Sequence, residues 1–118
     1  MGEFKFIRQF RRVCSKLGGR FEVKKLLDGK LEIMSCTFPL LENVSVEAYG
    51  DLARVFIGGE RSIDFENVPV AVGAEESKAS YIVEPREGIT SASVRGAFSK
   101  VEIWHLKGTN RFEVHLKK

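Results

Sequence analysis

The sequence predicts a mainly β fold (α+β): a single antiparallel β-sandwich or barrel of about eight strands, with one N-terminal amphipathic helix. Apolar residues recur at helical spacing only near the start of the chain. From residue 20 onward, short apolar alternations are separated by Gly- or Pro-containing turns at a spacing of roughly ten residues. A chain of 118 residues can bury its own core, so we expect one domain, residues 1–118, that needs no structural metal.

The segment 1–19 is predicted to form a basic amphipathic helix packed on the β-rich part, residues 20–118. Over residues 3–17, apolar side chains recur three or four positions apart and form a stripe: Phe4, Ile7, Phe10, Val13, Cys14 and Leu17. The cations fall outside this stripe: Lys5, Arg8, Arg11, Arg12 and Lys16. Gly18 and Gly19 predict a left-handed stop, because glycine adopts that conformation without steric cost.

The strands are predicted in chain order from alternation and turn residues. Asp28-Gly29 indicates a two-residue hairpin turn before the strand that holds Leu31, and Pro39 is expected to end that strand. Residues 73–78 predict a polar loop, because they combine Gly, Ser and charged side chains. The further predicted strands are 44–49, 52–57, 63–70, 80–83, 89–98, 101–107 and 111–117.

Charge is sorted along the chain. Residues 1–30 hold nine Lys or Arg against three acidic residues, residues 31–90 hold four against eleven, and residues 91–118 hold six against two. The net charge of +3 therefore describes a chain with basic ends and an acidic middle. Such a distribution bears on partners and self-association rather than on the fold.

Cys14 and Cys36 are the only cysteines, and they lack the CxxC or Cys/His spacing of a metal site. We expect two buried free thiols in a reducing compartment, with a Cys14–Cys36 disulfide as the alternative. Basic residues interrupt the apolar N-terminal residues and no run of about 18 apolar residues occurs, so neither a signal peptide nor a membrane span is expected. The predicted location is cytoplasmic. Scarce amides with abundant Glu, Lys and Arg are typical of thermophile proteins.

The C-terminal hairpin carries both histidines. A three-residue loop would pair Lys107 with Arg111, and this register places Trp104 in the core. It also gathers three potential metal ligands on the outer face: His105, Glu113 and His115. Because spacing alone is a weak signal and a surface ion pair satisfies the same pattern, we expect no metal and no cofactor.

The sequence contains none of the common catalytic motifs, such as GxSxG, HExxH, a P-loop or GxGxxG, so we expect a protein that is not an enzyme. The candidate partner-binding residues are the helix cations: Lys5, Arg8, Arg11, Arg12 and Lys16. A solvated face above a packed apolar stripe is the plainer interpretation of this pattern. Contact with phosphates or with an anionic membrane surface is the alternative.

We therefore expect a binding module whose partner is another protein or a second copy of the chain, with no small-molecule substrate evident. Nucleic-acid binding through the helix and the basic termini is the alternative function. Single-strand binding also requires exposed aromatic rings on which bases stack. The candidate rings are Phe6, Tyr81 and Phe98, because most other aromatic residues fall at predicted core positions.

Two stretches carry a resemblance to a known family. Residues 29–61, GKLEIMSCTFPLLENVSVEAYGDLARVFIGGER, and residues 96–107, GAFSKVEIWHLK, are similar to the α-crystallin domain of small heat-shock proteins and related co-chaperone sandwiches. The second stretch departs from that family, because no Gly follows Lys100 and Leu106 replaces the Pro before Lys107. The resemblance implies a β-sandwich that binds proteins, with a chaperone-like role at most, and it assigns no site residue.

Overall fold

A computed structural model describes residues 5–49, 52–58, 61–66, 70–76, 79–83, 92–108 and 112–118. It contains one helix and eight strands: α1 (Lys5–Lys16), β1 (Arg20–Leu26), β2 (Leu31–Tyr49), β3 (Leu52–Ile57), β4 (Arg61–Glu66), β5 (Val70–Glu76), β6 (Ala79–Val83), β7 (Ala92–Leu106) and β8 (Phe112–Lys117). Phe4 of the predicted stripe, and residues 50–51 and 84–88 between predicted strands, lie outside the described residues. The predicted mainly β class with an N-terminal helix is confirmed.

The strands form one sheet in the order β4-β3-β2-β7-β8-β5-β6, and β1 also pairs with β2. Strand β1 pairs with the first half of β2, and β3 pairs with its second half. All pairings are antiparallel except that of β5 with β8, in which Val70 lies beside Phe112. The prediction of an entirely antiparallel fold is wrong for this pair, and the described strands form an open sheet, not a closed sandwich or barrel.

Two long strands, β2 and β7, run through both halves of the sheet, where the sequence predicted two strands for each. Pro39 does not end β2. The pairing of β2 with β7 instead shifts register between Thr37 and Glu42, and this irregularity holds the proline. On the other side of β2, β1 pairs only as far as Thr37 and β3 pairs only from Val44. A residue without an N–H group is tolerated there, because neither neighbour requires a hydrogen bond from it.

Other boundaries differ for local reasons. The predicted loop 73–78 lies largely within β5, and the predicted strand 63–70 ends as β4 at Glu66. The turn after β1 spans four residues rather than two, since Leu26 pairs with Leu31. Leu27, Asp28 and Gly29 adopt positive φ angles of 53°, 55° and 84° in succession. Three consecutive left-handed residues make a wider turn than the two-residue Asp-Gly turn.

The predicted glycine stop of the helix is confirmed. The Gly19 N–H donates to the Cys14 carbonyl at 2.9 Å, and the Gly18 N–H donates to the Ser15 carbonyl at 3.1 Å. Gly18 has a φ of 69°, the left-handed conformation that this Schellman arrangement requires. The pair of bonds satisfies two of the carbonyls that every helix end leaves open.

Helix α1 packs its apolar side on the sheet, at the centre of the hydrophobic core. Its buried residues are Phe6, Phe10, Val13 and Cys14, with Ile7 and Leu17 partly buried beside them. Phe6 meets Phe112 of β8 edge-on at 4.8 Å, and Phe10 meets Phe21 of β1 at 5.7 Å, both measured between ring centroids. The predicted stripe is therefore confirmed for its members from Ile7 onward, and Phe6 also belongs to it. Phe6 falls four and eight positions before two other core residues, a spacing that places all three on one helix face.

The same helix covers an edge of the sheet. The Gln9 side chain accepts a hydrogen bond at 2.8 Å from the backbone N–H of Asp64 in β4, which is the end strand of the order. Open strand edges invite pairing with other chains, and covering them prevents it. Gln9 thus ties the helix to β4 while satisfying a donor of the edge strand.

Cys14 and Cys36 form a disulfide that joins α1 to β2, with their Cα atoms 5.8 Å apart. The predicted burial of both residues is confirmed, but the expectation of free thiols is wrong. The helix and the strand bring the two Cα atoms within bridging distance, although 22 positions separate them in sequence. Gly19 crosses directly over the bond, and a Cβ atom there would lie 2.6 Å and 2.9 Å from the two sulfur atoms.

We predict that Phe10→Ala lowers the free energy of unfolding by about 3–5 kcal/mol, because it removes a fully buried ring from the core. The matched control Ile7→Ala should cost clearly less, because Ile7 is only partly buried on the same helix. Urea unfolding of both variants measures the difference. Equal losses would mean that Phe10 is not at the centre of the helix contact.

We predict that replacing Cys14 and Cys36 together by Ala lowers the free energy of unfolding by about 3 kcal/mol, because the disulfide restrains the unfolded chain. Thermal melts of the wild-type protein with and without a reductant should show the same loss, whereas the variant should not respond to the reductant. The binding activity proposed below should persist in the variant, since neither sulfur reaches the surface. A variant as stable as the oxidised wild type would contradict a structural disulfide.

Candidate functional site

The five predicted partner-binding cations lie together on the solvent side of α1. They are all exposed: Lys5, Arg8, Arg11, Arg12 and Lys16. The first turn of the helix holds no acidic residue and begins with Lys5, although positive charge at a helix N-terminus is unfavourable to the helix dipole. The distribution of cations therefore does not serve helix stability alone.

One of these cations is fixed by an aromatic ring. The Arg11 guanidinium carbon lies 5.4 Å from the centroid of the Phe21 ring in β1, within the range of a cation–π contact. The other four cations make no ion pair with any part of the chain that the structure describes. Arg11, in contrast, stabilises the contact between α1 and β1.

The predicted register of the C-terminal hairpin is wrong by one residue. Trp104 pairs with Glu113, and His105 pairs with Phe112. The shift turns Trp104 to the outer face and Ile103 into the core. Residues 101–106 are apolar at both odd and even positions, so alternation alone did not decide which set is buried.

The histidines are consequently separated. His105 lies on the core side of the sheet and stacks on Phe112 at 4.4 Å, whereas His115 lies on the outer face and stacks on Trp104 at 4.2 Å. His115 Nε2 lies 3.2 Å from Glu113 Oε1. Across the ranges described, no group of three His, Cys, Asp or Glu side chains is placed to hold a metal ion. The possible metal site considered from the sequence therefore does not form from His105, Glu113 and His115.

The outer face contains one nearly buried carboxylate, Glu102, which is only 6% exposed. Its Oε1 lies 3.1 Å from Lys117 Nζ and accepts a hydrogen bond from the Trp104 indole at 3.2 Å, while its Oε2 lies 3.6 Å from Lys100 Nζ. Burial raises the pKa of Glu102, but the hydrogen bonds and the positive charge of the two lysines outweigh it, so the net pKa is lowered. A carboxylate held ionised in this way serves as a structural ion cluster and not as a proton donor.

The aromatic rings proposed as stacking platforms are not accessible where the structure describes them. Phe6 and Phe98 are buried in the core, and the side chain of Tyr81 lies outside the described residues. Trp104 is half-buried on the outer face, with one side taken by His115. Neither Phe6 nor Phe98 is therefore available for the base stacking that single-stranded nucleic acid requires.

The sequence did not indicate an open groove of about 480 Å³ on the outer face of β2, β3 and β7. Its lining includes six of the described residues: Asn43, Val44, Ser45, Glu47, Phe56 and Arg95. Ser45 pairs with Phe56 of β3 on one side and with Arg95 of β7 on the other. These residues come from three strands and form no motif, so only the pairing of the strands reveals them. The groove could hold a flat or anionic group beside Arg95, but its polar lining is sparse.

Comparison with known proteins identifies no relative: no family model, no curated protein and no solved structure matches the chain. In the part of the chain that the structure covers, no helix has the length and apolar character needed to span a bilayer. The expectation of a reducing compartment assumed free thiols, so the disulfide removes its support, and the cytoplasmic location stays a prediction.

We predict that Glu102→Gln lowers the free energy of unfolding at neutral pH by about 1–2 kcal/mol, because it leaves two lysines beside an uncharged group. The pKa of Glu102 is lowered in the folded state, so its stabilisation is complete above the ordinary value of 4.5 and is lost as pH falls through the folded value. The difference between wild type and variant should therefore narrow in acid.

Urea unfolding at a series of pH values measures this difference. Glu113→Gln is the matched control, because Glu113 lies on the same face but is largely exposed and contacts only His115 among the ion pairs described. A difference that stays constant into acid would contradict the ionised cluster.

Proposed function

We propose that this protein is a non-catalytic binding module that attaches to an acidic surface of another protein, or of a second copy, through the basic face of α1. The observation that carries the proposal is the arrangement of the helix. Its apolar side packs on the sheet, and five exposed cations lie on the opposite side. A surface of this kind attracts negatively charged partners and raises the rate at which they associate.

The helix is held in place at several points along its length. Phe6 contacts β8 near its start, Gln9 binds β4 near its middle, and Cys14 is bonded to β2 near its end. A partner therefore meets cations on a backbone that is already ordered. Binding to a pre-ordered surface avoids part of the entropy cost that a flexible basic tail incurs.

The burial of two candidate stacking rings favours an acidic protein surface over nucleic acid as the partner. Phe6 and Phe98 are buried, so neither ring is open for base stacking beside the cations of α1. The acidic residues of segment 31–90 give a second copy of this chain the required charge. The resemblance to α-crystallin domains supports the same class of function, because those domains bind proteins. Nucleic acid remains the second candidate function and is included in the test below.

We predict that Arg8/Arg12/Lys16→Ser binds a fluorescent poly-glutamate chain roughly ten- to a hundredfold more weakly than the wild type at low salt, because each lost contact contributes about 0.5–1 kcal/mol. Arg11 is retained because it also stabilises the contact with Phe21. Fluorescence anisotropy at two salt concentrations gives the affinities, and a flatter salt dependence is expected for the variant.

The matched control is Lys24/Lys25/Lys30→Ser, which removes the same charge from exposed positions on or beside β1. It should weaken poly-glutamate binding clearly less than Arg8/Arg12/Lys16→Ser does, because these three lysines lie outside the basic face of α1. Sedimentation equilibrium of all three proteins tests self-association, and anisotropy with single- and double-stranded oligonucleotides tests the second candidate. Equal losses in the two triple variants, or tighter binding to oligonucleotide than to poly-glutamate, would contradict the proposal.

A further inference from the structure

Exposed leucines lie together at one end of the sheet, where β2 begins at Leu31. Leu26 pairs with Leu31, and Leu31 pairs with Leu106, so the three lie in one row across β1, β2 and β7. Leu27 follows directly in the turn. The exposed fractions of Leu26, Leu27 and Leu106 are 47%, 66% and 44%. We call the three exposed residues, Leu26, Leu27 and Leu106, the leucine end. Single exposed leucines are common, but three adjacent ones form a patch.

The backbone conformation of Leu27 distinguishes this patch from apolar side chains that are exposed by chance. Its φ of 53° lies in the left-handed region, which disfavours a bulky side chain that lacks polar atoms. Glycine or asparagine would suit the turn better, and a polar residue would suit the solvent better. Leu27 therefore lowers the stability of the fold in two ways, and residues of this kind are concentrated at binding sites.

Lysines surround the leucine end. Lys24, Lys25, Lys30 and Lys107 are all exposed close to it in the sequence or the register. Among the described residues, the nearby acidic groups are Asp28, which is exposed in the same turn, and Glu32, whose carboxylate lies 3.8 Å from Lys107 Nζ. Four cations against two acidic groups, one of them already paired, leave the rim of the patch positive.

The backbone of this end is largely self-satisfied. The Gly29 N–H donates to the Leu26 carbonyl and the Lys30 N–H donates to the Leu27 carbonyl, both at 3.1 Å. The Lys107 N–H donates to the Lys30 carbonyl at 2.7 Å and thereby joins the turn to the end of β7. Donors bonded within the chain can enter a less polar medium without losing hydrogen bonds to water.

We propose that the leucine end docks on an anionic lipid surface, with the leucine side chains in the acyl boundary and the lysines at the headgroups. A turn at the end of a sheet offers apolar side chains outward and no groove for a peptide, so it suits a flat and yielding partner. The lysines supply the attraction to anionic headgroups while their alkyl stems remain beside the leucines. The inference is independent of the proposed function of α1, which lies against the other side of the sheet.

A second copy of the chain is a poorer occupant. A two-fold contact between two leucine ends would bring two positive rims together, because the same patch faces itself in such a contact. Like charges at close range oppose that arrangement. An anionic bilayer instead neutralises the rim, so the charge and the leucines favour the same partner.

The test uses phosphatidylcholine vesicles with and without phosphatidylserine, in co-sedimentation with the full chain at low salt. The wild type should bind only the anionic vesicles. Leu27→Asn should partition at least about tenfold more weakly, because it removes one of the inserted side chains. The variant should melt at the same temperature as the wild type or higher, since asparagine tolerates the left-handed conformation.

The matched control is Leu40→Asn, which removes a leucine that is 76% exposed elsewhere on β2. It should bind the vesicles as the wild type does, and Lys24/Lys25/Lys30→Gln should lose the preference for phosphatidylserine. The proposal is overturned if the wild type ignores anionic vesicles, or if Leu27→Asn and Leu40→Asn weaken binding equally. It is also overturned if Arg8/Arg12/Lys16→Ser abolishes vesicle binding while Leu27→Asn preserves it, or if Leu27→Asn abolishes self-association of a protein that does not bind vesicles.

Discussion

The contact between the apolar side of α1 and the sheet is the constraint on which the rest of the structure depends. A sheet of this size leaves one face uncovered unless another element packs on it, and α1 is the only helix in the described ranges. The buried residues of α1 belong to the same core cluster as residues of β2, β3, β4, β7 and β8. Detaching the helix would therefore open the core of both halves of the sheet at once.

The disulfide and Gly19 make this contact specific in position. Cys14 fixes the last turn of the helix to β2, and the chain reverses directly over the sulfur atoms at a residue without a side chain. These elements set how far the helix can slide along the sheet. The direction of its cationic side follows, because a helix cannot turn its apolar stripe inward without turning the opposite residues outward.

The helix and its cationic face could be predicted from the sequence because both depend on local spacing and on the glycine stop. The strands could be predicted less well. The sequence around Pro39 reads as a strand end, but the gap between β1 and β3 allows β2 to continue through it. The one-residue error at Trp104 arose because both faces of residues 101–106 are apolar, and packing against Val114 and Leu116 decides between them. The disulfide, the parallel pairing of β5 with β8 and the outer groove each depend on contacts distant in sequence, which alternation does not reveal.

The parallel pairing of β5 with β8 has a consequence for the order in which the chain acquires its structure. Strand β8 lies between β7 and β5, so the hairpin of β5 and β6 has no place in the sheet until residues 112–117 have been synthesised. Strands β1 to β4 require only partners that are near in sequence, together with β7. Contacts between distant segments form slowly, because the loop between them must close first. The hairpin of β5 and β6 therefore joins the sheet only after β8 has paired with β7, although both of those strands follow it in the sequence.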